Sequence, residues 1–74
     1  MKYPYTLEEY KNKAIQILKK DYPNQYKTLS AKEIEQEITK SYNGDKYKYE
    51  NGIVKDVLKL ENEVRSAVYN ISML

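Results

Sequence analysis

Thr6-Leu7-Glu8-Glu9-Tyr10-Lys11-Asn12-Lys13-Ala14-Ile15-Gln16-Ile17-Leu18 reads as the opening of an amphipathic helix. Threonine followed three residues later by glutamate is a capping box: the Thr6 hydroxyl takes the Glu9 amide proton while the Glu9 carboxylate reaches back to the Thr6 amide. Leu7, Tyr10, Ala14, Ile17 and Leu18 then recur at helical spacing on one face. Glu9 and Lys13 stand at i,i+4, where unlike charges attract. Lys19 and Lys20 fall in the last turns, where cations suit the helix dipole. Pro23 ends the run, because the residue before a proline is pushed out of the α region. The pattern predicts a helix over about 6–22.

Beyond it, residues 23–29 make a connection, at most one loose turn, whose Tyr26 and Leu29 can plug the end of a core. Ser30-Ala31-Lys32-Glu33 is a second capping box and predicts a second helix over about 30–43, with a narrow stripe of Ala31, Ile34, Ile38 and Tyr42. Asn43-Gly44 reads as its stop, since both residues tolerate a left-handed cap. The segment from Asp45 to Glu50 alternates Lys and Tyr with the period of a strand and echoes Lys2-Tyr3-Pro4-Tyr5. Two readings follow. The segment is a tyrosine-rich loop over 44–52, or it pairs with the N-terminal arm as a minimal β-bridge. Because an isolated two-stranded pair is marginal in water, the loop is preferred. Ile53, Val57, Leu60, Val64, Ala67, Ile71 and Leu74 then follow a 4-3 alternation, a heptad seam widened by Val54, Leu58, Val68 and Tyr69. With no proline or glycine inside it, this predicts a long third helix over about 52–72.

These elements define an all-α chain, a small three-helix bundle with a long C-terminal helix, in one domain spanning residues 1–74. A chain of 74 residues buries only about 60% of its unfolded surface and is marginal without a staple or a partner. Cysteine and histidine are both absent, which removes disulfides, thiolate metal sites, the commonest zinc ligand and the commonest acid–base catalyst. Phenylalanine and tryptophan are absent too, while tyrosine occurs nine times. A tyrosine packs as a hydrophobe but needs a partner for its hydroxyl, which suits half-buried edges and interfaces. No apolar run is long enough to cross a membrane, and the first residues lack the apolar core of a secretory signal. A cytoplasmic protein is the expectation. The heavy use of Lys, Asn, Ile and Tyr, all with AT-rich codons, points to an AT-rich bacterium, its phage or another mobile element.

Catalysis finds little support. Ser30, Ser41, Ser66 and Ser72 have no histidine to activate them and no designed lysine beside them. The carboxylates fall on predicted caps and solvent faces. Asp45 to Glu50 does not match a calcium loop, and Glu33, Glu35 and Glu37 spread around a helix instead of converging. The sequence therefore implies no enzyme, cofactor or metal.

Two binding classes remain. Ser30 to Ile38 has the look of the supporting helix of a helix-turn-helix unit. The next helix, however, arrives after about nine residues instead of three or four, and its exposed start mixes Lys55 and Lys59 with Asp56, Glu61 and Glu63. A weaker nucleic-acid mode would use Lys11, Lys13, Lys19, Lys20 and Lys27, extended by Lys46 and Lys48, with Tyr22 and Tyr26 as stacking rings. Against it, the formal charge is only +2 and Arg65 is the one arginine, whereas arginine is the usual reader of bases.

The protein-binding reading draws on the apolar pattern. The third helix carries more apolar surface than a narrow neighbour needs, and tyrosines at edges suit an interface. Val54, Leu58, Tyr69, Tyr47 and Tyr49 are the candidate contact residues, either for a protein partner or for a second copy joined through the third helix. The preferred expectation is a non-catalytic protein-binding module, an accessory protein of a phage or mobile element that inhibits or adapts a host protein. The alternative is a weak DNA- or RNA-binding accessory using the Lys/Tyr surface.

Overall fold

The capping box at Thr6 forms as the sequence dictates and sets the position of the central helix. In a computed structural model, which describes residues 2–74, the Glu9 N–H donates to Thr6 Oγ1 at 3.1 Å and the Thr6 N–H donates to Glu9 Oε1 at 3.0 Å. Helix α1 runs over Leu7–Asp21 and buries Tyr10, Ala14, Ile17 and Leu18. Three more helices follow: α2 over Pro23–Thr28, α3 over Ala31–Glu50 and α4 over Leu60–Ser72. Helix α1 is the hub, packed most extensively on α4 and then on α3, while α3 and α4 also touch each other directly. The buried residues of the three long helices, with Tyr3 from the N-terminal arm, make one core. The expected all-α bundle is the observed fold, although the 23–29 connection contributes the short helix α2 and makes four helices instead of three, and among the described residues no strand occurs.

The long helix is not the C-terminal one. Helix α3 was expected to stop at Asn43-Gly44, yet it continues for another six residues to Glu50. Gly44 does not take a positive φ, and it sits in the helix despite a propensity cost of about 1 kcal/mol. What offsets that cost is the inward face that the unbroken helix carries on both sides of it. Ile34, Ile38 and Tyr42 are buried and Tyr49 packs against the core, with Asp45 on the same side bonded to Tyr10. Tyr42 and Tyr49 stand a heptad apart, a helical signal hidden beneath the period-2 alternation of Lys and Tyr. The predicted 44–52 loop is therefore helix. At roughly 30 Å for 20 residues, α3 accounts for most of the molecule's longest dimension of 37 Å.

The break falls at Gly52, with φ 73°. The Gly52 N–H donates to Tyr49 O at 3.1 Å and the Ile53 N–H donates to Lys48 O at 2.8 Å, which is the bond pair of a Schellman cap. After it the chain runs non-helical to Lys59, so the predicted helix from residue 52 begins only at Leu60. Ile53, Val54 and Val57 are β-branched and lose rotamer freedom in a helix. Glu61 and Glu63, by contrast, lie in the first turn of α4, where acids favour the helix start. The heptad seam accordingly splits. Val64, Ala67 and Ile71 are buried together with Val68, whereas Ile53 lies exposed in the loop.

The β-bridge does not form, yet the two Lys–Tyr segments do meet. The arm lies against α3 as a strap that bends at Pro4 and Tyr5, with the Tyr3 N–H donating to Glu50 Oε2 at 3.1 Å and the Tyr3 ring 5.8 Å from that of Tyr49. Because α3 is helical there, its backbone N–H and C=O groups point along the helix axis and are not free to pair with a strand.

Candidate interaction surface

The surface grows out of a layer of tyrosines at one end of the bundle. Tyr3, Tyr10 and Tyr42 are buried and Tyr5 and Tyr49 pack against them. The Tyr3 ring lies 5.5 Å from Tyr5 and 5.6 Å from Tyr42, and Tyr10 lies 5.4 Å from Tyr42, all edge to face. That is the geometry the ring quadrupoles favour. The hydroxyls of Tyr3, Tyr5, Tyr10 and Tyr42 each find an acceptor on a different element. Tyr3 donates to Glu63 Oε2 on α4 at 3.0 Å, and Tyr10 donates to Asp45 Oδ2 on α3 at 2.8 Å. Tyr42 donates to the Tyr5 carbonyl at 2.7 Å, and Tyr5 to the Leu58 carbonyl at 2.9 Å. Tyrosine instead of phenylalanine is thus explained at these four positions.

The electrostatics follow from this burial. Tyr3 and Tyr10 are both held far above the ordinary tyrosine range, first by burial and then by the carboxylate each hydroxyl faces. They remain protonated donors throughout the neutral range. Glu63 is pushed up by burial and by the charge of Asp45, against the lowering effect of the Tyr3 hydroxyl. The two carboxylates wall an open groove of about 430 Å³ between α3 and α4, which also presents Lys40, Ser41, Lys48 and Ser66.

Beyond the tyrosine layer lies the 51–59 loop. Ile53 is 64% exposed, Val54 41% and Leu58 58%, so three large aliphatic side chains on one short segment face solvent. Val54 and Leu58 together line a cavity of about 340 Å³ beside Asp56 and Glu63. Val54 also lines a second cavity with Tyr49, Glu50 and Lys55. Of the five residues expected at an interface, Val54 and Leu58 are therefore brought together, on a loop and not on a helix. Tyr47 is exposed on the last turns of α3. Tyr49 is half-buried and engaged with Tyr3. Tyr69 is exposed on α4 beside the terminal Met73 and Leu74, about 14 Å along the helix from Leu60. Sequence reasoning missed Ile53 as a contact residue because it was assigned to the buried seam. The glycine before it was the available signal.

The lysines do not form one face. Lys11 pairs with Glu35 of α3 at 3.5 Å and Lys13 with Glu61 of α4 at 3.6 Å, so the two point to opposite flanks of α1. The expected Glu9–Lys13 pair gives way to this contact, Glu9 being held by Thr6. Lys19 sits 5.3 Å from the centre of the Tyr26 ring. Lys20 and Lys27 are exposed at the α1–α2 end, while Lys46 and Lys48 are exposed on the second half of α3. Arg65 contacts Glu61 at 2.9 Å and Asp21 at 3.8 Å. No group of three or more acidic side chains among the described residues is placed to hold a metal ion, and no helix there is long and apolar enough to cross a membrane. No model of a known protein family, no curated protein and no solved structure matches the chain.

Proposed function

We propose that this chain is a non-catalytic protein-binding module whose contact surface is centred on the 51–59 loop, with Ile53, Val54 and Leu58 as apolar anchors and the exposed Tyr47 of α3 as a further contact. The observation that carries this reading is the outward presentation of those aliphatic side chains on a segment tied to the body at both ends. Burying apolar anchors that are already held in place avoids the ordering cost that weakens most interfaces. The internal use of Lys11 and Lys13 in ion pairs supports the protein reading over a nucleic-acid one, because a phosphate backbone needs a continuous row of free cations. The AT-rich composition adds the finer proposal: a cytoplasmic accessory protein of a phage or mobile element that inhibits or adapts a host protein. A second copy of the chain is the partner that would be simplest to detect.

The test compares the wild type with Leu58→Glu, and with Lys20→Glu as a control far from the loop, in solution sizing and in capture from the native host's lysate. A partner, or a self-associated form, held by the wild type and by Lys20→Glu but weakened at least about tenfold by Leu58→Glu is the expected result. Capture and sizing profiles identical across all three chains would remove the loop from consideration. Labelled DNA titrated at about 50 mM salt is expected to stay unbound. Tight binding lost on replacing Lys46 and Lys48 would favour the nucleic-acid reading instead.

A further inference from the structure

We propose that Tyr5 is a positioning residue for the 51–59 loop, and that the N-terminal arm is a strap whose docking sets the pose of the apolar anchors. This deepens the protein-binding reading and rests on it for its functional meaning, although its structural content can be measured without any partner.

The loop is held unequally at its two sides. On the side of α3 the backbone secures it: the Gly52 N–H donates to Tyr49 O, and the Ile53 and Val54 N–H groups both donate to Lys48 O at 2.8 and 3.1 Å. On the side of α4 the tether comes from outside the loop. The Tyr5 hydroxyl donates to the Leu58 carbonyl at 2.9 Å, fixing the peptide from which the exposed Leu58 side chain projects. Tyr5 is itself anchored. Its carbonyl accepts from the hydroxyl of buried Tyr42, its ring meets the edge of Tyr3, and the next residue, Thr6, is the cap of α1. Tyr3 is 4% exposed and reaches both Glu50 at the end of α3 and Glu63 at the start of α4, the two helices the loop connects. The strap thus grips both ends of the segment and touches its far side directly. With the strap docked, Leu58 and Val54 form one wall. With it released, Leu58 loses that tether, while Lys59 stays engaged at the start of α4, where its carbonyl accepts from the Asn62 and Glu63 N–H groups at 2.9 and 3.1 Å.

The experiment measures backbone order in the free chain. Amide ¹⁵N order parameters for Lys55–Leu58 are expected to lie near ~0.85 in the wild type and to fall below ~0.6 in Tyr5→Phe. Tryptic cleavage at Lys55 and Lys59 is expected to speed up about fivefold, the effect of one lost hydrogen bond. Order parameters for Ala14–Leu18 of α1 are expected to stay unchanged, which separates loop release from loss of the fold. Substituting Tyr5 by 4-aminophenylalanine, which keeps a donor, is expected to restore the loop, whereas 4-methoxyphenylalanine is not. Unchanged loop order in Tyr5→Phe, an equal loss of order in α1, or rescue by the methoxy analogue would overturn the proposal. Because no partner enters these measurements, their failure leaves the Leu58→Glu comparison intact, and the failure of that comparison leaves the strap intact.

Discussion

The two ends of the core are built on different principles, and α1 takes part in both. At one end Ile17 and Leu18 of α1 belong to a cluster with Ile34 and Ile38 of α3 and Val68 and Ile71 of α4. At the other, Tyr10 of α1 belongs to a layer with Tyr3, Tyr42 and Tyr49. The aliphatic end is held by area removed from water, which is non-directional and tolerant of which neighbour supplies it. The tyrosine end adds a constraint that area cannot impose. A buried hydroxyl must find an acceptor, and those of Tyr3, Tyr10, Tyr42 and the adjoining Tyr5 find theirs on α4, α3, the arm and the loop. Dispersion and burial hold the helices together at the first end, and directional bonds fix the non-helical pieces at the second. The candidate surface lies beside the directional end.

That contrast is open to direct attack. Ile38 is fully buried, and Ile38→Ala is expected to destabilise the fold by about 3 kcal/mol through lost transfer energy and a residual cavity. Tyr10→Phe keeps the ring and removes only the hydroxyl that donates to Asp45, with an expected loss of about 1.5 kcal/mol. Urea unfolding of both variants makes the comparison. Equal losses would mean that the tyrosine end depends on its polar bonds as heavily as the other end depends on volume.

Alkali probes the tyrosine end alone. Tyr3 and Tyr10 are raised by burial and by their carboxylate neighbours, so in the fold they stay protonated where the unfolded chain ionises near its ordinary value of about 10. Below that pH their contribution is fully present. Above it the unfolded state binds fewer protons than the folded one, so stability falls as pH rises, by at most about 1.4 kcal/mol per pH unit for each ring. Urea midpoints between pH 8 and 11 are expected to stay level and then drop, with a shallower drop in Tyr10→Phe. A flat profile to pH 11 would show that the two rings are not set apart from exposed tyrosines.

The same division explains what could be read in advance. The aliphatic end was legible because helical periodicity reports burial: Ala14, Ile17, Leu18, Ile34, Ile38, Val64, Ala67 and Ile71 were all assigned to inward stripes, and all are buried. The full capping box forms only at Thr6; at Ser30 the side chain caps the Glu33 amide and its hydroxyl, not its backbone amide, donates to the Glu33 carboxylate. Both helix starts were legible all the same, because caps are local. The tyrosine end was not, because its partners are remote in sequence: Tyr3 and Glu63 are 60 positions apart, and Tyr5 and Leu58 are 53 apart. No local pattern announces such bonds. As a result the last turns of α3, residues 44–50, read locally as a loop, and the loop that carries Val54 and Leu58 reads as helix.

The smallest predicted effects come from the two glycines, which mark where that misreading arose. Both have open space where a Cβ would sit, so sterics cannot tell them apart and only backbone conformation can. Gly44 lies inside α3 with no positive φ. There Gly44→Ala is expected to stabilise the fold by about 0.5–1 kcal/mol, through higher helix propensity and a less entropic unfolded chain. Gly52 holds φ 73° in the Schellman cap, and Gly52→Ala is expected to destabilise by about 1 kcal/mol, because a Cβ disfavours the left-handed region. Thermal midpoints of the two variants should therefore move in opposite directions. If Gly44→Ala lowered the midpoint as Gly52→Ala does, α3 would break at residue 44 in solution. Asp45 would then leave its position beside Tyr10, and Tyr49 its position against Tyr3. The directional end of the core would depend on the continuity of one helix through its weakest residue.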